Sequence, residues 1–277
     1  MQKISILRAD NQKTNKMKST LKLFLTVLLI PVVLLSQQTE SRGIEWTGDD
    51  DIANAMVWLG INHYMNIERE KAYTLFDAAV TKDPTLFAPH VVLAMLSNGD
   101  MKAHHIAEAK KLVEGKMEVS KLYVSLLDIT RDTENAGDVW RSTWKKMYEL
   151  APEGSFFVNF NYARSLQDAK ERIMELEKLA AKLEKSGGNN GHVHNLLGYT
   201  YYAEGDKVKA KAHLDKYMEL RPKGYNSYDS MAEYYMNEGD MENALAYYKK
   251  ARMHYPGAIN ARNKIKEIEE KMPKPEE

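Results

Sequence analysis

The sequence predicts an all-α chain, an array of antiparallel helix–turn–helix units closed by a capping helix. Three observations predict it. Gly (15) and Pro (8) are sparse among 277 residues, while 44% are apolar and 28% charged, a composition that forms cores and favours helices. Residues 195–206 are echoed by residues 229–240, an offset of 34. Prolines keep the same period: Pro222 and Pro256 lie 34 apart, and Pro84 and Pro152 lie 68 apart, room for two further units.

Residues 1–36 stand apart. Lys3, Arg8, Lys13, Lys16, Lys18 and Lys22 face a single acid, Asp10, and an apolar run follows over 23–35. That run spans about 20 Å as a helix, short of a bilayer core of roughly 30 Å. Basic start, short apolar middle and polar exit read as a secretory signal peptide, or as an N-terminal anchor where it stays uncleaved. Met17 offers an internal start. A linker follows over 37–50, the array over 51–272 and a flexible tail over 273–277.

The chain carries 39 basic and 39 acidic residues. Without 1–36 it keeps 33 and 38, a mildly acidic balance that does not favour nucleic acid. Cysteine is absent, which excludes disulfides, thiolate metal sites, cysteine nucleophiles and lipid attachment at cysteine.

The clearest repeats are 53–86, 191–224 and 225–258. In the second, Leu197, Gly198, Tyr201, Ala210 and Pro222 recur at fixed places, with Leu214 in an aromatic place and His194 in a tryptophan place. In the third these are Ala232, Tyr235, Ala244, Ala251 and Pro256, with Tyr228 and Tyr248 as aromatic stand-ins. In the first, Leu59, Gly60, Ala72, Phe76, Ala79 and Pro84 match, Met56 replaces Trp and His63 replaces Tyr. These three windows resemble the tetratricopeptide repeat. The resemblance implies a right-handed superhelix whose first helices line a concave surface.

Degenerate units are expected over about 87–190, starting near Phe87, Lys121 and Phe157. Trp140, Trp144 and Met147 take second-helix core places in one; Phe160, Ala163, Leu176, Ala180 and Leu183 take core places in the next. The spacing from Pro152 to Pro222 is two residues over two periods, an insertion expected in the turn 153–156. In each first helix, places 4, 7, 8 and 11 fall on one face and are expected to pack on the second helix. Gly205-Asp206 and Gly239-Asp240 read as a left-handed cap followed by an N-cap. Asp49-Asp50-Asp51 could suggest a cation site, but three acids before a helix read more simply as an N-cap and dipole complement. Ala261, Ile265, Ile268 and Met272 line one face of a capping helix over about 258–272.

No catalytic motif is present: there is no Gly-x-Ser-x-Gly elbow, phosphate-binding glycine loop or His-Glu-x-x-His. His104-His105 and His192-Val193-His194 diverge on a helix and form no two-ligand clamp, so neither a metal site nor a cofactor is expected. His194 is expected in the core and His192 at the surface. By the resemblance, places 2, 5, 9, 12 and 13 of each first helix face the groove. Those places hold His192, Asn195, Tyr199 and Tyr202 in one repeat and Asn226, Asp229, Glu233 and Asn237 in the next, the candidate partner-binding residues. The first repeat has Asn54, Val57, Ile61, Tyr64 and Met65 there, a largely apolar set suited to packing against 37–50. Val57 and Ile61 stand where arrays that clamp chaperone tails carry Lys and Asn, which disfavours that role.

The expectation is a non-enzymatic, exported, periplasmic or envelope-associated scaffold that binds a protein or peptide. Membrane contact would come only through an uncleaved N-terminal segment. Two alternatives remain open: an enzyme or enzyme accessory with a polar pocket near His192 and Asp229, and a self-associating structural protein.

Overall fold

The computed structural model describes residues 43–152 and 155–271; the expected signal segment 1–36, residues 37–42, Glu153 and Gly154 of the turn expected to hold the insertion, Met272 and the tail lie outside them. Thirteen α-helices and no strands are present among the described residues. They pair as six hairpins and a cap: α1 (Asp51–Met65) with α2 (Arg69–Lys82), α3 (Ala88–Leu96) with α4 (Gly99–Leu112), α5 (Glu118–Ser125) with α6 (Ala136–Leu150), α7 (Phe156–Ser165) with α8 (Ala169–Lys185), α9 (Gly191–Ala203) with α10 (Lys207–Leu220), α11 (Tyr225–Asn237) with α12 (Met241–His254), then α13 (Ile259–Lys271).

The middle of the chain is helical, but its units are irregular. The third hairpin starts at Glu118, three residues before Lys121, and its α5 runs into a 3-10 turn, Leu126–Asp128. Asn135, at φ 53°, then opens α6.

Capping follows the sequence. Asp50 Oδ1 accepts from the N–H groups of Ile52 and Ala53 (3.0 and 2.8 Å), Asp206 from Lys209 and Asp240 from Asn243 (3.0 Å each). Gly205 and Gly239 take φ of 82° and 81°, the left-handed region that relieves a helix C-terminus. Ile67 holds the same place in the first hairpin at φ 65°, an unusual conformation for a β-branched residue.

Place 8 is where the two helices of a hairpin touch. A Cβ on Gly60 would lie 2.9 Å from the Phe76 ring, and one on Gly198 would lie 2.7 Å from Leu214 Cγ. Place 7 does something else. Leu197 is fully buried, whereas Leu59, with no hairpin before it among the described residues, is 52% exposed. Places 4 and 11 meet the hairpin's own second helix, where His194 and Tyr201 both stack on His213, while the Tyr201 hydroxyl also reaches Glu177 of the preceding unit.

One continuous core runs from Ile44 to Ala210, and a smaller one joins α11, α12 and α13 through Ala232, Ala244, Tyr248, Ala251, Ala261, Ile265 and Ile268. The array also winds back on itself. Arg221, at the α10–α11 turn, donates to Asn62 Oδ1 (2.7 Å) and Glu68 Oε2 (2.8 Å) of the first hairpin. Tyr225 donates to the Ile67 carbonyl at 2.7 Å, which holds the strained turn. Glu68 is 2% exposed; burial pushes its pKa up, but the hydrogen bond from His63 and the Arg221 charge outweigh it and hold the carboxyl below its usual value.

Candidate binding surface

The first helices of the N-terminal hairpins do not line an open groove. Residues 43–48, expected as linker, are packed into the array, with Ile44 and Trp46 each 1% exposed. Gly43 sits against Ser155 at the start of α7, and Gly48 against Asp83 and Leu86. The Glu45 N–H donates to Ser120 Oγ (3.1 Å), and its carboxylate accepts from the Met117 N–H (2.9 Å) and Ser120 Oγ (3.0 Å). The Asn54 amide holds Gly48 from both sides: its Nδ2 donates to the carbonyl and its Oδ1 accepts from the N–H, each 2.9 Å. Trp46 lies 5.0 Å from Phe157, 5.4 Å from Tyr123 and 6.3 Å from Phe76 by ring centroids. Tyr64 of α1 stacks on Phe157 of α7 at 6.3 Å, so first helices from opposite ends of this half meet. Asn54, Val57, Ile61 and Met65 are buried.

The candidate residues of the last two repeats divide into two groups. His192, Asn195 and Asn226 are 4%, 8% and 6% exposed, so the expectation that they face a partner does not hold. His192 packs edge-on to Phe160 at 4.8 Å, and burial lowers its pKa to about 3. His194, expected in the core, is half-buried, and its Nδ1 lies 2.9 Å from Nδ1 of His213; the two histidines have exchanged places relative to the sequence reading. Asn226 Nδ2 donates to Tyr217 Oη (3.2 Å), whose hydroxyl reaches the Asn66 carbonyl (3.5 Å). Winding of the array brings the first hairpin over this end of α10 and α11. Helical phase alone could not reveal that contact between residues some 150 apart.

The second group stays accessible. Tyr199, Glu233 and Asn237 are exposed, and Tyr202 is half-buried. Tyr199 Oη donates to Glu233 Oε2 (2.7 Å), and Tyr202 Oη to Glu238 Oε1 (2.8 Å), which Lys207 also reaches at 2.8 Å. Packing of the ring and the nearby Glu233 carboxylate raise the Tyr199 pKa, so its hydroxyl remains a donor. Tyr202 and Tyr234 meet edge-to-face at 5.6 Å and Tyr235 follows at 5.5 Å, a run of rigid rings across adjacent first helices. Asp229 is half-buried and accepts from Asn260 Nδ2 of α13 (2.9 Å), while its Oδ1 is buried without a hydrogen-bond partner. Desolvation raises its pKa to about 6 despite the Asn260 hydrogen bond. Asn260 and Glu238 carry no signal in the sequence; both are recruited by neighbours on other helices.

His192 and Asp229 do not form a shared pocket. One is among phenylalanines, the other under the capping helix, and neither lines the cavities beside Arg221, Tyr148, His90 or Tyr73. The cavity beside His90, of about 280 Å³, gathers His90, His104, His105, Asp77 and Glu108, with His90 Nδ1 and His105 Nδ1 2.9 Å apart. Burial keeps these two imidazoles neutral, His90 down to about 4. No group of three or more His, Asp or Glu among the described residues is arranged to hold a metal ion. No described helix is long and apolar enough to cross a membrane.

Among solved structures, the chain is similar to one in the APC/C hetero-tetramer Cut9–Hcn1, with 15% identity and TM-score 0.49; the match covers 85% of this chain and 45% of that one, so this chain spans less than half its length. It is also similar to a thermophilic TPR protein of Thermus thermophilus (18% identity, TM-score 0.40, 78% and 98% covered) and to PilW, a type IV pilus biogenesis factor (14%, 0.39, 80% and 93%). No curated protein matches the chain. The tetratricopeptide repeat family matches residues 191–223 and 225–251, the α9–α10 and α11–α12 hairpins. The match to the tetratricopeptide repeat family thus falls on the last two hairpins of this helical array.

Proposed function

We propose that the protein is a non-enzymatic scaffold of the cell envelope, which binds a partner protein or peptide segment across α9 and α11. A tetratricopeptide fold itself suggests protein–protein interaction. One observation carries the finer reading: the inner surface of the N-terminal hairpins is filled by residues 43–48, while Tyr199, Tyr202, Glu233 and Asn237 remain accessible on the last two. Tyrosines supply rigid contact area, and Glu233, unlike the Lys207-paired Glu238, gives the ridge an acidic character that suits a basic or amide-rich segment. Export to the envelope rests on the signal-like composition of 1–36.

The test is affinity capture from the envelope fraction of the source cell with the wild-type chain and a Tyr199→Ser, Glu233→Lys variant. A partner retained by the first and lost by the second, with binding that weakens as salt rises, supports the reading. Equal retention by both would place the binding surface elsewhere.

A further inference from the structure

In the fifth hairpin, Asn190, His194, Leu197 and Tyr201 lie three or four residues apart; Asn190 and Tyr201 reach the preceding unit, while His194 stacks on His213 of its own second helix. Asn190 donates to the Ala180 carbonyl of α8 at 3.2 Å, Tyr201 Oη donates to Glu177 Oε1 of α8 at 2.6 Å, and Leu197 is fully buried. The same places in the first hairpin hold Ile52, Met56, Leu59 and His63. Ile52 is 57% exposed and Leu59 52%, with Met56 and His63 half-buried. The stripe is about 16 Å long at the rise of an α-helix. It has the spacing of a hairpin-docking face, and among the described residues no hairpin covers it.

The opposite end of the array is finished differently. α13 buries Ala261, Ile265 and Ile268 and turns Arg262, Lys266, Glu269 and Glu270 to solvent. Head-to-tail growth would set the apolar stripe against these charges, at a desolvation cost. The stripe itself is the better complement to a second stripe. Its charges support one orientation: exposed Asp49 and Asp51 flank the start of α1, while exposed Lys71 and Lys223 share a cavity with His63 at its end. An antiparallel pair of α1 helices sets each acidic end beside the other copy's basic end.

We propose that two copies of this chain associate about a two-fold axis through the Ile52–Met56–Leu59 face of α1. The face is one helix wide, small for a stable interface, so the dimer dissociates on dilution. This interface lies on the first hairpin and is independent of the partner surface proposed on α9 and α11.

The experiment is sedimentation equilibrium of the purified full chain over a dilution series. The expected mass rises toward twice that of one chain with concentration. Leu59→Glu gives a monomer throughout with an unchanged melting temperature, since Leu59 is exposed within one copy. Asp49→Lys raises the dissociation constant several-fold, and adding Lys223→Glu in the same chain restores it. A wild-type chain that stays monomeric overturns the proposal, with a lowered melting temperature for Leu59→Glu pointing to cover by the chain's own residues. A dimer that survives Leu59→Glu overturns it equally.

Discussion

The first four hairpins and the last two solve the same packing problem by different means. In α9–α12 small residues at fixed places let neighbouring helices close on each other: Gly198 under Leu214, with Ala210, Ala232, Ala244 and Ala251 all fully buried. These close approaches are local, although Tyr217 and Tyr225 also reach the first hairpin. In α1–α8 large rings meet from distant positions, with Trp46, Tyr123, Trp144 and Phe157 gathered around one point. Regular motif and regular spacing thus mark the region that packs locally. Where the motif fades, long-range aromatic contact has replaced it.

That contrast predicts unequal mutational effects. Trp46→Ala should be the largest, costing about 3–5 kcal/mol as an unfilled aromatic site, and should loosen α1–α8 while α11–α13 keep their protection in hydrogen exchange. Equal loss of protection along the chain would show that the two regions fold as one unit.

Acid should act next most strongly. His90 and His192 are held neutral by burial, with pKa values pushed to about 4 and about 3. A histidine whose folded pKa is depressed stabilises the fold above its unfolded value of about 6.5, and that contribution is lost as pH falls toward the folded value. For His90 the loss is about 3 kcal/mol. Urea midpoints between pH 7 and pH 4.5 measure it. His90→Gln should flatten the share belonging to the first region and His192→Phe that of the second.

Gly198→Leu should cost about 1–3 kcal/mol in a thermal melt, because a Cβ already meets Leu214 at 2.7 Å. An unchanged melting temperature would remove the close helix approach from the account of the regular repeats.

The smallest expected effect is a gain. Asp229 has its pKa raised to about 6, so its ionised form weighs against the fold above that pH and not below the unfolded value near 3.8. Asp229→Asn should raise stability at pH 7 by about 1 kcal/mol and leave it unchanged near pH 3.5, read from melts at both pH values.

The first interhelical turn shows how far the sequence could be read. Gly205-Asp206 and Gly239-Asp240 announce a left-handed cap and an N-cap, and both form. In the first repeat the same two places hold Ile67-Glu68. Ile67 still takes the left-handed conformation, but Glu68 caps nothing; it is buried and tied to Arg221. This departure from the repeat was the available sign of a distant contact, although nothing in it names Arg221. Likewise Asn54, Val57 and Ile61 are legible as a mostly apolar face, and residues 43–48 as a neighbouring segment. The insertion of Trp46 among rings from several other helices is not legible.

By itself the sequence determined the helical class, the 34-residue period, the caps and the two regular C-terminal repeats, because each rests on residue types recurring within a helix or from one hairpin to the next. The tertiary structure alone decided which half is filled and which side chains remain on the surface. His192 and His194 exchange places, Asn195 and Asn226 disappear from the surface, and Asp229 passes under Asn260. The reason is curvature. A single helix fixes the phase of its side chains, whereas the rotation accumulated over several hairpins fixes what those side chains meet.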